Sequence, residues 1–171
     1  MMSGEMQYAP LYAFDITLHV RPAEAIAGDT LADAWGTWPT LAVPKAALST
    51  PMSIEFDDAL QRLGRFERLY AEPDGSFVWT SSRDLTTEAG NHAWWQVDGN
   101  AFEKDGRVLL VDLKGSCPAS DLDRLLGGFG WPGQPLMMQL VRSAVFLDEA
   151  TFRRHATARG LAGDGETLRP S

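Results

Sequence analysis

The stretch Leu11–Val20 constrains the fold more than any other part of this chain. Tyr12, Phe14, Ile16, Leu18 and Val20 point one way, and Ala13, Asp15, Thr17 and His19 point the other. A period of two is the signature of a strand, because apolar positions on a helix recur every three or four residues. The alternation also implies a sheet with two unlike faces. One packs on a core and the other, at least here, is more polar.

A second sheet signal runs from Ala93 to Gly115. Val108–Leu113 is an almost unbroken apolar run, and Lys104-Asp105-Gly106 ahead of it is a turn, where Gly accepts the positive φ of a tight hairpin. Trp94, Trp95, Gln96 and Val97 form the incoming arm, and Asp98-Gly99 within it reads as a bulge or a second turn. Phe66–Ala71 and Ser76–Thr80 flank Glu72-Pro73-Asp74-Gly75, a further hairpin in which Pro presets φ and Gly supplies φ > 0. Leu136–Leu147 fits a strand better than the first part of one long helix running on past Asp148, because Asp148-Glu149 suits a helix start.

Helix signals fall between these runs. Asp57–Leu63 is bounded by a capping Asp57 and by Gly64, which suits a left-handed residue past the end. Pro118 fits a first helical turn, and Leu122, Leu125 and Leu126 form one apolar stripe ended by Gly127-Gly128. A helix over about 149–158 succeeds Asp148. Asp29 or Thr30 can cap a short helix through Trp35, within a segment that Pro39, Pro44 and Pro51 interrupt. Trp35 and Trp38 anchor that segment to the core. Met52–Phe56 reads as a short strand or the first helical turn. The polar stretch 82–92 and the Gly/Pro stretch around Trp131 read as loops. The expected fold is α+β: a mainly antiparallel sheet of about five to seven strands built from hairpins, with two to four helices packed on it. One domain is expected over 11–158, with flexible tails at 1–10 and 159–171.

Charge narrows the classes of partner. The net charge is −8, and residues 1–61 hold only Arg21 and Lys45 against eight acidic groups. Nucleic-acid backbones and anionic membranes attract basic surfaces, so neither is expected as a partner. Cys117 is the only cysteine, which excludes an internal disulfide and suits a reducing compartment. The N-terminal residues show no basic region followed by an apolar run, so a cytoplasmic location is expected.

Few residues carry recognisable chemistry. The Walker phosphate loop, the HExxH zinc motif, the GxSxG elbow, paired CxxC and the EF-hand loop are all missing. No cofactor and no metal are expected, since His19, His92 and His155 have no ligand spacing. The catalytic candidates are Cys117, whose thiol would be activated at a helix N-terminus, and His19 with Asp15 on one strand face beside Thr17, with Glu55 or Asp112 opposite. Arg62, Arg65 and Arg68 form a candidate basic patch, read as solvated surface. Trp79, Trp94, Trp95 and Trp131 cluster in or beside the hairpins, and aromatic residues are enriched at interface hot spots. The leading expectation is a non-catalytic module that binds another protein, or itself, through an aromatic-bearing sheet face. The alternative is an enzyme or small-ligand binder, with a polar pocket near His19, Asp15 and Cys117 or between Trp35, Trp38 and the sheet. A third reading is an acidic neutraliser of a basic partner.

Overall fold

Residues 11–20 form the strand that their alternation predicts. In a computed structural model, which describes residues 11–82, 86–87, 90–91 and 94–162, β1 (Leu11–Val20) lies at the centre of one antiparallel sheet. Its partners come from far along the chain. β9 (Arg107–Pro118) pairs with it from Leu11↔Pro118 to Leu18↔Val111, and β10 (Leu136–Leu140) pairs on the other side.

The expected hairpins extend the sheet beyond β9. β8 (Gln96–Lys104) turns into β9 through Asp105 and Gly106, both at positive φ. β5 (Ser76–Thr80) pairs with β8, and β4 (Leu69–Ala71), shorter than the arm predicted from Phe66, forms the edge. The expected bulge at Asp98-Gly99 is absent, and the register shifts at Phe102/Glu103 instead. Gly99 has a different purpose. It lies on the core side, and a Cβ there would run into the Phe77 ring.

The other half of the sheet departs further from expectation. The short helix predicted before Trp35 is a hairpin of β2 (Ile26–Asp33) and β3 (Gly36–Ala42). Pro39 is tolerated within β3 because the neighbouring strand on that side, β11 (Phe146–Asp148), meets β3 only at Leu41. β2 is the opposite edge, and its pairing with β3 is interrupted between Ala27 and Thr30. The single strand predicted over Leu136–Leu147 is two strands, β10 and β11, because Ala144 takes φ 59° and reverses the chain between them. Among the described residues the sheet thus has nine strands in the order β2-β3-β11-β10-β1-β9-β8-β5-β4, against the five to seven expected. Thr86–Thr87 pairs separately with Gly90–Asn91 (β6 and β7). The rest of the predicted 82–92 loop, apart from Ser82, and the tails before 11 and after 162 lie outside the described residues.

Among the described residues three α-helices pack against the sheet, within the range expected. α1 (Phe56–Leu63) begins after Glu55 rather than at a capping Asp57, although Asp57 and Asp58 still sit favourably in its first turn. Gly64 follows it at φ −63°, not left-handed. The extended residues before α1 pair with β9 through Met52 N–Val108 O and Phe56 N–Gly106 O. α2 (Ala119–Gly128) starts directly from β9, so Pro118 is its N-cap and ends the strand. α3 (Glu149–Leu161) runs past the predicted end at 158. Asp148 caps it as expected, its side chain accepting from Thr151 N at 2.7 Å. The core lies between these helices and one sheet face, where Phe14, Ile16, Leu18, Val97, Leu113, Leu122, Leu126 and Phe152 are buried. No described helix is long and apolar enough to cross a membrane.

Candidate functional site

Because opposed residues in an antiparallel ladder share a face, the register places each candidate. One row across the sheet reads Tyr70, Val78, Asp98, Lys114 and Asp15. The next includes Asn100, Asp112 and Thr17. These residues lie on the face opposite the core. Here Tyr70 is 72% exposed, Phe102 41% and Val78 38%, and Trp94, just before β8, is 46% exposed. Lys114 is directly opposed by both Asp98 and Asp15, and Thr17 donates to Asp112 at 2.9 Å. Three carboxylates, Asp15, Asp98 and Asp112, therefore share this face with Lys114, with large exposed side chains beside them.

The candidates named from the sequence separate onto different faces. Cys117 is opposed by Tyr12 on the core side, whereas Asp15 and His19 lie on the other face of β1, so the three do not share a pocket. Cys117 is fully buried, and burial followed by the Asp121 carboxylate pushes its thiol well above the usual thiol range. That is the reverse of an activated nucleophile. His19 is buried edge-on to Phe146, with ring centres 5.5 Å apart. Burial lowers its pKa, opposed by Gln139 and Asp112. Its Nε2 has no hydrogen-bond partner among the described residues. Asp112 does stand opposite Thr17, but Glu55 pairs with Arg107 elsewhere.

Two of the four tryptophans expected at a binding surface belong to the core. Trp79 and Trp95 are buried edge-to-face at 5.0 Å, and Trp79 Nε1 donates to Glu67 O. Trp131 is partly buried, donates to Glu149 at 3.1 Å and lies against Arg153. Of the four, only Trp94 is exposed. Arg62 reaches Gly127 O, while Arg68 pairs with Glu67 and Thr80 O.

A second region of chemistry is only partly legible in the sequence. Trp35 and Trp38 flank His155, with ring centres 5.4 and 5.1 Å from it. Asp33 ends β2 and joins this cluster to the hairpin. Its Oδ1 accepts from Trp35 N (2.9 Å) and Trp38 Nε1 (3.0 Å), and its Oδ2 lies 2.8 Å from His155 Nε2. Burial would raise the Asp33 pKa, but bonds from His155, Trp38 and Trp35 overcome it and hold the carboxyl below its ordinary value. Burial lowers the His155 pKa, against the pull of Asp33. A neutral His155 that donates Nε2–H to Asp33 satisfies both, a tautomer assigned from the bond partner.

This cluster forms one wall of a cleft of about 120 Å³. Arg159 follows His155 by one turn of α3, so both face the cleft, and its guanidinium lies 4.7 Å from the Trp35 ring centre. Lys114 and Asp15 enter from the sheet, and Arg142 and Ser143 from the turn between β10 and β11. Of this site, the tryptophans and Asp15 have a signal in the sequence. Asp33 and His155 stand 122 residues apart.

Among the described residues, no three His, Cys, Asp or Glu side chains are placed to hold a metal ion. His92 lies outside them. Gly128, Gly130 and Gly133 have the GxGxxG spacing of dinucleotide-binding turns. They follow a helix and precede a strand, the reverse of the order that motif requires. Comparison with protein-family models, with curated proteins and with solved structures gives no match.

Proposed function

We propose that this chain is a protein-interaction module whose sheet face opposite the core receives a partner with a basic surface. One observation carries the reading: the row Tyr70, Val78, Asp98, Lys114, Asp15, continuous across five strands on the face opposite the core. Exposed Tyr70, Phe102 and Trp94 supply the residue types that anchor interfaces. Asp15, Asp98 and Asp112 outnumber Lys114, and the whole chain is acidic, so both local and long-range fields favour a cationic partner. A second copy fits less well. A two-fold interface on this patch would set like charges against each other.

The test is affinity capture from host lysate followed by reconstitution with purified proteins. A basic protein should bind the native chain at low salt, weaken steeply as salt rises, and lose about tenfold or more in affinity to Asp98→Lys/Asp112→Lys and to Tyr70→Ala/Phe102→Ala. The reading fails if no captured protein distinguishes these variants. It fails equally if light scattering finds a homodimer that Tyr70→Ala/Phe102→Ala dissolves.

A further inference from the structure

We infer that β2 is a docking edge, which takes an extended segment bearing lysine or arginine from a partner protein as an added strand. This surface is separate from the sheet-face interface. β2 ends the sheet on the side away from β8, β5 and β4, which carry Asp98, Val78 and Tyr70.

The two edges of the sheet are unlike. Unpaired N–H and C=O groups on an edge invite another chain, so edges are ordinarily kept short or interrupted by proline and lysine. β4 follows that rule, with three residues, Arg68 at φ 61° before them and Pro73 soon after. β2 is eight residues long and contains neither proline nor lysine. Ile26–Thr30 and Ala32 are all exposed.

The hairpin geometry shows which backbone groups are available. Only Ala34 and Trp35 join β2 to β3, so Asp33 and Gly36 form the bonded pair that closes the hairpin. Alternation from that pair turns the N–H and C=O of Leu31 towards Trp38, and those of Thr30 and Ala32 outward. Pro39 stands opposite Thr30, at a pair that needs no N–H from it. The interruption between Ala27 and Thr30 closes the first half of the edge, where Thr40 Oγ1 donates to Asp29 O. The docking register is therefore Thr30–Ala32, with half-buried Leu31 packed on the core between them.

Charge selects the occupant. Residues 21–42 hold three carboxylates, Glu24, Asp29 and Asp33, against one cation, Arg21. Asp33 is turned to His155 and Trp38, but Glu24 and Asp29 are exposed and in no ion pair among the described residues. A second copy would set one acidic edge against another, which disfavours self-pairing. A strand that alternates basic and apolar residues meets both features of this edge. Its cation reaches Asp29, and its apolar side chain extends the row of Leu31 and Trp38.

The probe is a capped peptide alternating lysine and valine, titrated into the isotope-labelled full chain. It should shift the amide resonances of Thr30 and Ala32 and slow their hydrogen exchange about tenfold or more. Ala32→Pro removes an outward N–H without breaking the ladder to β3, so it should weaken binding about tenfold with the melting temperature close to native. Asp29→Lys, at an exposed position, should also weaken binding, and the matching glutamate–valine peptide should not bind. Asp98→Lys/Asp112→Lys, on the sheet face, should leave the affinity unchanged. The inference is overturned if the lysine–valine peptide does not bind, if the glutamate–valine peptide binds as tightly, or if Ala32→Pro keeps full affinity. Loss of binding in Asp98→Lys/Asp112→Lys alone would place the peptide on the sheet face and overturn it equally.

Discussion

At the scale of single residues, Asp33 and Gly99 do the most with the least. Asp33 accepts three hydrogen bonds that tie a hairpin to a helix. Asp33→Ala leaves Trp38 Nε1 and His155 without that partner, and should cost about 1–3 kcal/mol in urea unfolding. Gly99→Ala should cost a similar amount, about 1–3 kcal/mol, by driving a methyl into Phe77. Phe77→Leu in the same chain should recover part of that loss, and strictly additive costs would show that the two do not couple. Protonation is also a single-residue matter. His19 and His155 both have folded pKa values below the ordinary 6.5. Their contribution is complete above that value and is lost as pH falls through it toward the folded pKa, because the unfolded chain then binds more protons. Each buried histidine adds a slope of up to about 1.4 kcal/mol per pH unit. Stability measured from about pH 7 down to about pH 5 should fall, and His155→Gln should flatten the fall. An unchanged slope in that variant would remove His155 as a source.

At the scale of elements, legibility in the sequence depends on how regularly each segment is half-buried. α3, which buries Thr151, His155 and Arg159, is legible only from its Asp148-Glu149 start, whereas β1, β8, β9 and α2 alternate or stripe against one core, and each is visible in the hydrophobic pattern. β2 is not. Ile26–Thr30 are all exposed at a sheet edge, so no alternation marks them. Pro39 disguises β3, although the short β11 beside it leaves room for an imino acid. The β10–β11 turn carries no turn signal because Ala144, not glycine, takes the positive φ. Trp35 and Trp38 stand out within an irregular segment, but Asp33, His155 and Arg159 have no local signature, since a 122-residue separation closes only in space. The two helix starts give a contrasting prediction. Asp148→Ala should destabilise the protein by about 1 kcal/mol, because its carboxylate caps α3. Glu55→Ala, at the start of α1 where no side chain caps, should stay within about 0.5 kcal/mol. Equal losses in chemical denaturation would refute the distinction.

At the scale of the molecule, the described helices and one face of the sheet enclose the core, and the row from Tyr70 to Asp15 lies on the opposite face. Cys117 reports on the core. It is fully buried between β9 and the helices, so iodoacetamide should label it only at the rate of global opening. Labelling faster than global unfolding would reveal a local opening of α2 from the sheet. The position of β1 has a consequence for how the protein is made. The ribosome releases Leu11–Val20 early, yet its partners, β9 and β10, occupy 107–118 and 136–140. At about 5–20 residues per second, some 120 residues of synthesis occupy roughly 6–24 s. For that interval Phe14, Ile16 and Leu18 are a strand without a sheet. The central strand is thus made well before the strands that cover its edges, and the high contact order of that pairing makes it slow.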